Sequence, residues 1–102
     1  MAAVRASFIF SGSKVSTTIL KPNGSINSAT ADEFKAAINA TLPTTRLIID
    51  LTGVDYISSA GLRILLWANG QFAPKAMVVT HVWAEVQDVF QMTGFSGILT
   101  IE

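Results

Sequence analysis

Hydrophobic residues change their spacing several times along the chain, and each change marks an element. Arg5 to Phe10 reads as a strand, the cluster Ser11-Gly12-Ser13 as a turn, and the β-branched run Lys14 to Leu20 as a second strand. Two such runs around a Gly-containing turn predict a hairpin. Pro22 and Gly24 end the second strand and open a loop. Beyond them the period lengthens. Ala31, Phe34, Ile38 and Leu42 recur one turn apart, with Lys35 and Asn39 on the polar face, which predicts an amphipathic helix. Thr30 to Glu33 has the S/T-x-x-E form of a capping box, and Asp32 and Glu33 suit the positive end of a helix. Ser28 competes as the cap, and Pro43 ends the helix.

The second half alternates short apolar runs with helical patterns. Leu47-Ile48-Ile49 reads as a strand buried on both faces. "DLTGVDYI" turns out of it, and a helix runs from the serines to about Asn69-Gly70, with Gly70 suited to a left-handed cap. Met77 to Val79 is a further strand. Trp83 to Met92 is a third helix with Val86, Val89 and Phe90 inward and Gly94 as its stop, and Ile98 to Ile101 is a last strand. The order β-β-α-β-α-β-α-β predicts an α/β fold with right-handed crossovers and a small, mostly parallel sheet. On a wheel of the second helix, Leu62, Leu65 and Leu66 face inward and Ile64 and Trp67 point away. Trp67 then either packs on a neighbour or offers an apolar patch to a partner or a homodimer.

Composition narrows the function classes. The 102 residues fit one domain, 1–102. Half are hydrophobic and 14% are charged, so disorder is excluded. The net charge of +0 draws the chain to neither nucleic acid nor an anionic membrane. The absence of cysteine excludes disulfides and thiolate chemistry. The N-terminus lacks a signal-peptide h-region, and no apolar run nears the roughly 20 residues that span a bilayer, so a cytoplasmic protein is expected. No metal-ligand spacing or cofactor motif is present, and no cofactor is expected.

Candidate chemistry centres on Ser58 and Ser59, where a strand hands over to a helix. That helix start lies at the carboxyl edge of the sheet, where α/β folds place sites, and it carries unpaired N–H groups and a partial positive charge. Capping alone accounts for adjacent serines there. "ISSAG" also matches a nucleophile elbow missing its first Gly, but His81 is the chain's one histidine and the sequence offers no obvious acid to orient it. An anion site lacks a Walker or G-x-G-x-x-G pattern. Two readings remain level: a phosphoacceptor, whose added charge of about −1.5 to −2 meets the helix dipole favourably and disrupts whatever docks there, and a plain docking surface. Arg63 could meet an acidic partner or a phosphate, or be a solvated arginine. His81 shares the edge with Ser59 if the fourth strand parallels the third. Asp50 and Asp55 suit loop-holding bonds to the backbone.

"LIIDLTGVDYISSAGLRILL" resembles the signature of the STAS domain, specifically of the anti-sigma factor antagonists of bacteria. Asp50, Leu51 and Thr52, then Ser58, Ser59, Ala60, Gly61 and Leu62, match its pattern. "ILKPNGSINSATADEFKAAI" and "VQDVFQMTGFSGILTI" are similar to the family's first loop and helix and to its last helix and strand. The resemblance implies a SpoIIAA-like fold, with helices mainly on one face of a mixed sheet, and a non-enzymatic partner-switching role. An anti-sigma factor with serine kinase activity would bind the unmodified protein and release a sigma factor. It would phosphorylate Ser59 (Ser58 being the alternative), and a serine phosphatase would reset the switch. The implied partner edge comprises Asn27, Asp50, Thr52, Ser58, Ser59, Ala60, Gly61 and Arg63. Ser58 and Asn27 stand where the family often has Asp, which makes that edge less acidic. A STAS subunit of a larger signalling or lipid-transport complex, docking without phosphorylation, is the alternative.

Overall fold

The structure, a computed structural model, describes residues 3–10, 16–42 and 44–102, with side chains from residue 17 onward. Five strands form one sheet in the order β1 (Ala3–Phe10), β2 (Ser16–Asn23), β3 (Arg46–Asp50), β4 (Met77–Thr80) and β5 (Thr100–Ile101). β1 and β2 are antiparallel, and β2 to β5 run parallel. Three helices connect the parallel strands: α1 (Ala31–Asn39), α2 (Ser59–Gly70) and α3 (Ala84–Met92). The expected order therefore holds. The turn at Ser11-Gly12-Ser13 and the helix stop at Pro43 lie outside the described residues.

The register aligns the rows that make the core. Thr18, Leu47 and Met77 are partners across three strands, as are Leu20, Ile49 and Val79. All six are buried, and the five apolar ones belong to one cluster with Phe34 and Ile38 of α1, Leu65 and Ala68 of α2, and Val86 and Phe90 of α3. One face of the sheet thus carries the inward residues of all three helices. Thr18 is tolerated on it because its hydroxyl bonds that of Thr44 at 2.6 Å. On the other face Ile19 and Ile48 are only half-buried, so β3 is not covered equally on both sides.

Several local expectations shift. β2 continues through Pro22 to Asn23. Its pairing with β3 ends at Leu20, so Pro22 has one neighbouring strand and its missing N–H is tolerated. The hydroxyl of Thr30 does not cap α1. It donates to the Ser25 carbonyl at 2.9 Å and accepts from the Asn27 amide at 2.9 Å. α1 ends at Asn39, leaving Leu42 half-buried beyond it. Gly70 is the last helical residue of α2 rather than a left-handed cap, and Gln71 closes the helix at φ −85°. Gly94 does adopt the left-handed conformation, at φ 79°, after α3. β5 shrinks to Thr100–Ile101 because the amides of Ile98 and Leu99 turn back to the Phe95 carbonyl, at 3.0 and 2.8 Å, after the 3-10 turn Phe95–Gly97.

The wheel of α2 is corrected as well. Ile64 is buried and Leu66 is exposed. α2 packs on the sheet and also on α1, so two of its sides are covered. The second side carries Ile64 and Trp67, one turn apart, with Lys35 Nζ of α1 lying 5.0 Å from the Trp67 ring centroid.

Candidate functional site at the carboxyl rim

The segment from β3 to α2 is held as an irregular strand beside residues 23–26. Gly24 N–H donates to the Gly53 carbonyl at 2.8 Å, Ile26 N–H to Tyr56 at 2.9 Å, and Ser58 N–H to Ile26 at 2.8 Å. Leu51, Val54 and Ile57 are buried beneath it, one every third residue. The residues between them, Thr52, Gly53, Asp55 and Tyr56, therefore face solvent. This apolar footing gives the rim a fixed backbone without a regular ladder.

The two serines take different positions on that footing. Ser58 is the N-cap of α2, half-buried, and its Oγ accepts a long bond from Gly61 N–H at 3.4 Å. Its extended backbone, at φ −90° and ψ 174°, is the usual conformation for a cap. Ser59 is the first helical residue and is exposed, and its hydroxyl makes no hydrogen bond to any described residue. No acidic side chain lies in the first turn of α2 to oppose a negative charge there.

The other residues of the expected edge divide between surface and support. Gly61 is buried beneath the rim, where an added Cβ would come within 2.7 Å of both Ile26 Cγ2 and Ile57 Cγ1. Ala60 is half-buried against the core, and Arg63 is exposed. Asn27 follows the Ile26–Ile57 bridge, and its Oδ1 accepts from the amides of Ala29 at 2.9 Å and Thr30 at 3.2 Å. It orders the approach to α1, in the way Asx residues commonly do.

Asp50 closes β3 and is only 8% exposed. Its Oδ1 accepts from the Thr52 hydroxyl at 2.6 Å and the Thr52 amide at 2.9 Å. Lys21 Nζ lies 3.8 Å from Oδ2, and His81 Nδ1 lies 3.4 Å from Oδ1. Burial pushes the carboxyl pKa up, but the two Thr52 bonds, His81 and Lys21 together hold it below its usual value. The parallel β3–β4 register, pairing Asp50 with Thr80, is what brings His81 to this edge. Asp55 is exposed on the loop.

Trp83 is the rim residue that sequence reasoning missed. Its indole N–H donates to the Thr52 carbonyl at 2.6 Å, while 53% of the residue stays exposed. Thr52 is therefore fastened through its amide and hydroxyl by Asp50 and through its carbonyl by Trp83. Tyr56, 54% exposed, adds a second aromatic to the same loop. Only the run Trp83-Ala84-Glu85 at a helix start signalled Trp83, and that pattern predicts a cap position, not a contact.

Elsewhere, a cavity of about 550 Å³ is lined by Asn69, Phe72, Lys75 and Ile98. It lies at the far end of α2 from Ser59 and shares no residue with the rim. Among the described residues no helix is long and apolar enough to cross a membrane.

Comparison with known proteins agrees with this architecture. Residues 13–102 match the family model of the STAS domain. BtrV of Bordetella bronchiseptica, a protein assigned to the anti-sigma factor antagonists, is 34% identical over 82 residues, covering 76% of this chain and 71% of BtrV. The crystal structure of an anti-sigma factor antagonist from Mycobacterium paratuberculosis superposes with a TM-score of 0.79 at 20% identity, over 97% of this chain and 85% of that one. The anti-sigma factor antagonist SpoIIAA in its unphosphorylated form gives 0.70 at 14% identity, over 98% and 87%. Bacillus SpoIIAA in its phosphorylated form gives 0.62 at 12% identity, over 96% and 91%. A sheet with helices on one face, a capped α2 behind an Asp-Leu-Thr loop, and a family match over most of the chain converge: this chain belongs to the STAS domain family, beside the anti-sigma factor antagonists.

Proposed function

We propose that the chain is an anti-sigma factor antagonist whose carboxyl rim docks an anti-sigma factor with serine kinase activity, freeing a sigma factor, until Ser59 is phosphorylated. A serine phosphatase resets it. The docking edge is Thr52, Ser59 and Arg63 at the surface, with Asn27, Asp50, Ser58, Ala60 and Gly61 shaping it from below. One observation carries this reading: the Ser59 hydroxyl is exposed and unbonded among the described residues, whereas Ser58 is spent on the cap. The proposed partners place the protein in the cytoplasm.

The physics favours a switch of contact over a switch of fold. A phosphoserine carries about −1.5 to −2 charge at neutral pH, and at the first position of a helix the dipole stabilises it. The helix stays intact, and the cost falls on the partner that must bury the new charge. Each ~1.4 kcal/mol of that cost weakens binding tenfold. The chain needs no base or nucleotide site, because the partner supplies both.

Incubation with the cognate kinase and ATP tests the proposal, read by intact mass and peptide sequencing. One phosphate is expected on Ser59, none on Ser59→Ala, and Ser59→Asp should release the partner. Phosphate persisting on Ser59→Ala but lost from Ser58→Ala would overturn the assignment. Partner binding indifferent to Ser59→Asp would instead support an unswitched docking subunit of a larger signalling or lipid-transport assembly.

A further inference from the structure

Arg63 lies one helical turn beyond Ser59, and we infer that its guanidinium is the intramolecular counterion of the phosphate on Ser59. The inference rests on the phosphorylation proposed above and adds a residue that governs the ionisation of the modified form.

Residues i and i+4 share one helix face, with Cβ atoms about 5–6 Å apart. The favourable order places the acid on the N-terminal side, as Ser59 and Arg63 do. Long helical side chains lean back toward the N-terminus, so Arg63 covers the turn that begins at Ser59. Both residues are exposed, which leaves room for a phosphate between them and solvent.

Among the described side chains, the other basic groups near this end are already engaged. Lys21 and His81 face Asp50, at 3.8 Å and 3.4 Å, and Lys35 lies over Trp67. Arg46 begins β3 and Lys75 precedes β4, so both lie at the opposite end of the parallel strands. Arg63 has no ion pair or hydrogen bond among the described residues. The same geometry discriminates between the serines. The residues three and four beyond Ser58 are Gly61 and Leu62, both buried, so a phosphate on Ser58 has no cation one turn away.

A guanidinium beside a phosphoserine favours the dianion through charge-assisted bonds and lowers its second pKa from about 6. The pair raises the dianionic share modestly and holds the group against the helix. Arg63 is thus a positioning residue.

The test uses the full chain with phosphoserine incorporated at position 59 by an expanded genetic code, titrated by phosphorus NMR. Wild type and Arg63→Lys should titrate about 0.2–0.4 pH units below Arg63→Gln at low ionic strength. Raising the salt to about 0.5 M should remove most of that difference. Phosphoserine at position 58 should show no dependence on residue 63. Equal titration of the three chains at low salt, or an equal Arg63-dependent shift at position 58, overturns the inference. Because the phosphate is built in, a chain that no kinase modifies still reports on Arg63. The two proposals can therefore fail separately. Circular dichroism checks that the variants, changed at an exposed position, keep the fold.

Discussion

Replacing Gly61 by alanine adds one methyl group where α2 passes closest to the loop before α1. That methyl would sit 2.7 Å from Ile26 Cγ2, 2.7 Å from Ile57 Cγ1 and 3.3 Å from the Ile26 carbonyl oxygen. Both isoleucines are buried and β-branched, and their segments are tied by a backbone bridge and the Ser58–Ile26 bond at 2.8 Å. Neither contact can give way without moving the rim. Overpacking of this kind costs about 1–3 kcal/mol. Alanine recovers at most about 1 kcal/mol of helix propensity, and less in a first turn. The net loss is about 1–2 kcal/mol, which for a domain of this size lowers Tm by roughly 4–16 °C. Gly70→Ala, at the other end of the same helix, is the control. Nothing lies within 4 Å of its added Cβ and its φ is not positive, so it should raise Tm by a few degrees. Thermal unfolding followed by circular dichroism measures both. A Gly61→Ala protein as stable as wild type would refute the close approach of α2 to Ile26.

Two further outcomes follow from the same rim. Ser58→Ala removes the N-cap of α2 and should lower stability by about 0.5–2 kcal/mol in urea unfolding, while Ser59→Ala should stay within about 0.5 kcal/mol of wild type; equal losses would contradict the unequal roles of the two hydroxyls. The folded pKa of Asp50 lies below its unfolded value near 3.8, so the stability it contributes is complete above that value and is lost as pH falls through the folded one. Asp50→Asn should therefore be less stable than wild type at neutral pH, with the gap closing in acid, and a gap constant down to about pH 2 would show that the charge is not responsible.

What the sequence makes legible follows from how many faces each element buries. α1 buries one stripe, so Phe34 and Ile38 announce their positions, and α3 does the same through Val86 and Phe90. α2 buries two sides and reads Ile64-Leu65-Leu66-Trp67 without a polar break, so its period cannot say which residue faces out. The capping box at Thr30 fails for a related reason. Its hydroxyl oxygen accepts from the Asn27 amide at 2.9 Å instead of from a helix N–H, and the Asn27 side chain takes the amide of Thr30 at 3.2 Å. The serines and the Asp-Leu-Thr turn were legible because they are local. The bond from Trp83 to Thr52 spans 31 residues and exists only because β3 and β4 run parallel in one register. No window of sequence contains it.

The separation of support from surface explains why one serine of an adjacent pair suits a reversible charge. A phosphate on Ser58 would fall on the half-buried hydroxyl that caps Gly61 N–H, so modification there would be coupled to the start of α2. On Ser59 it leaves that bond, the buried Leu51–Val54–Ile57 footing and the Thr52 fastening untouched. Free energy added at Ser59 therefore acts chiefly on the affinity for whatever covers the rim, since the helix dipole favours the charge. Free energy added at Ser58 is divided between affinity and folding. A switch read mainly through binding requires the first arrangement, which is the one proposed for the second serine of the pair.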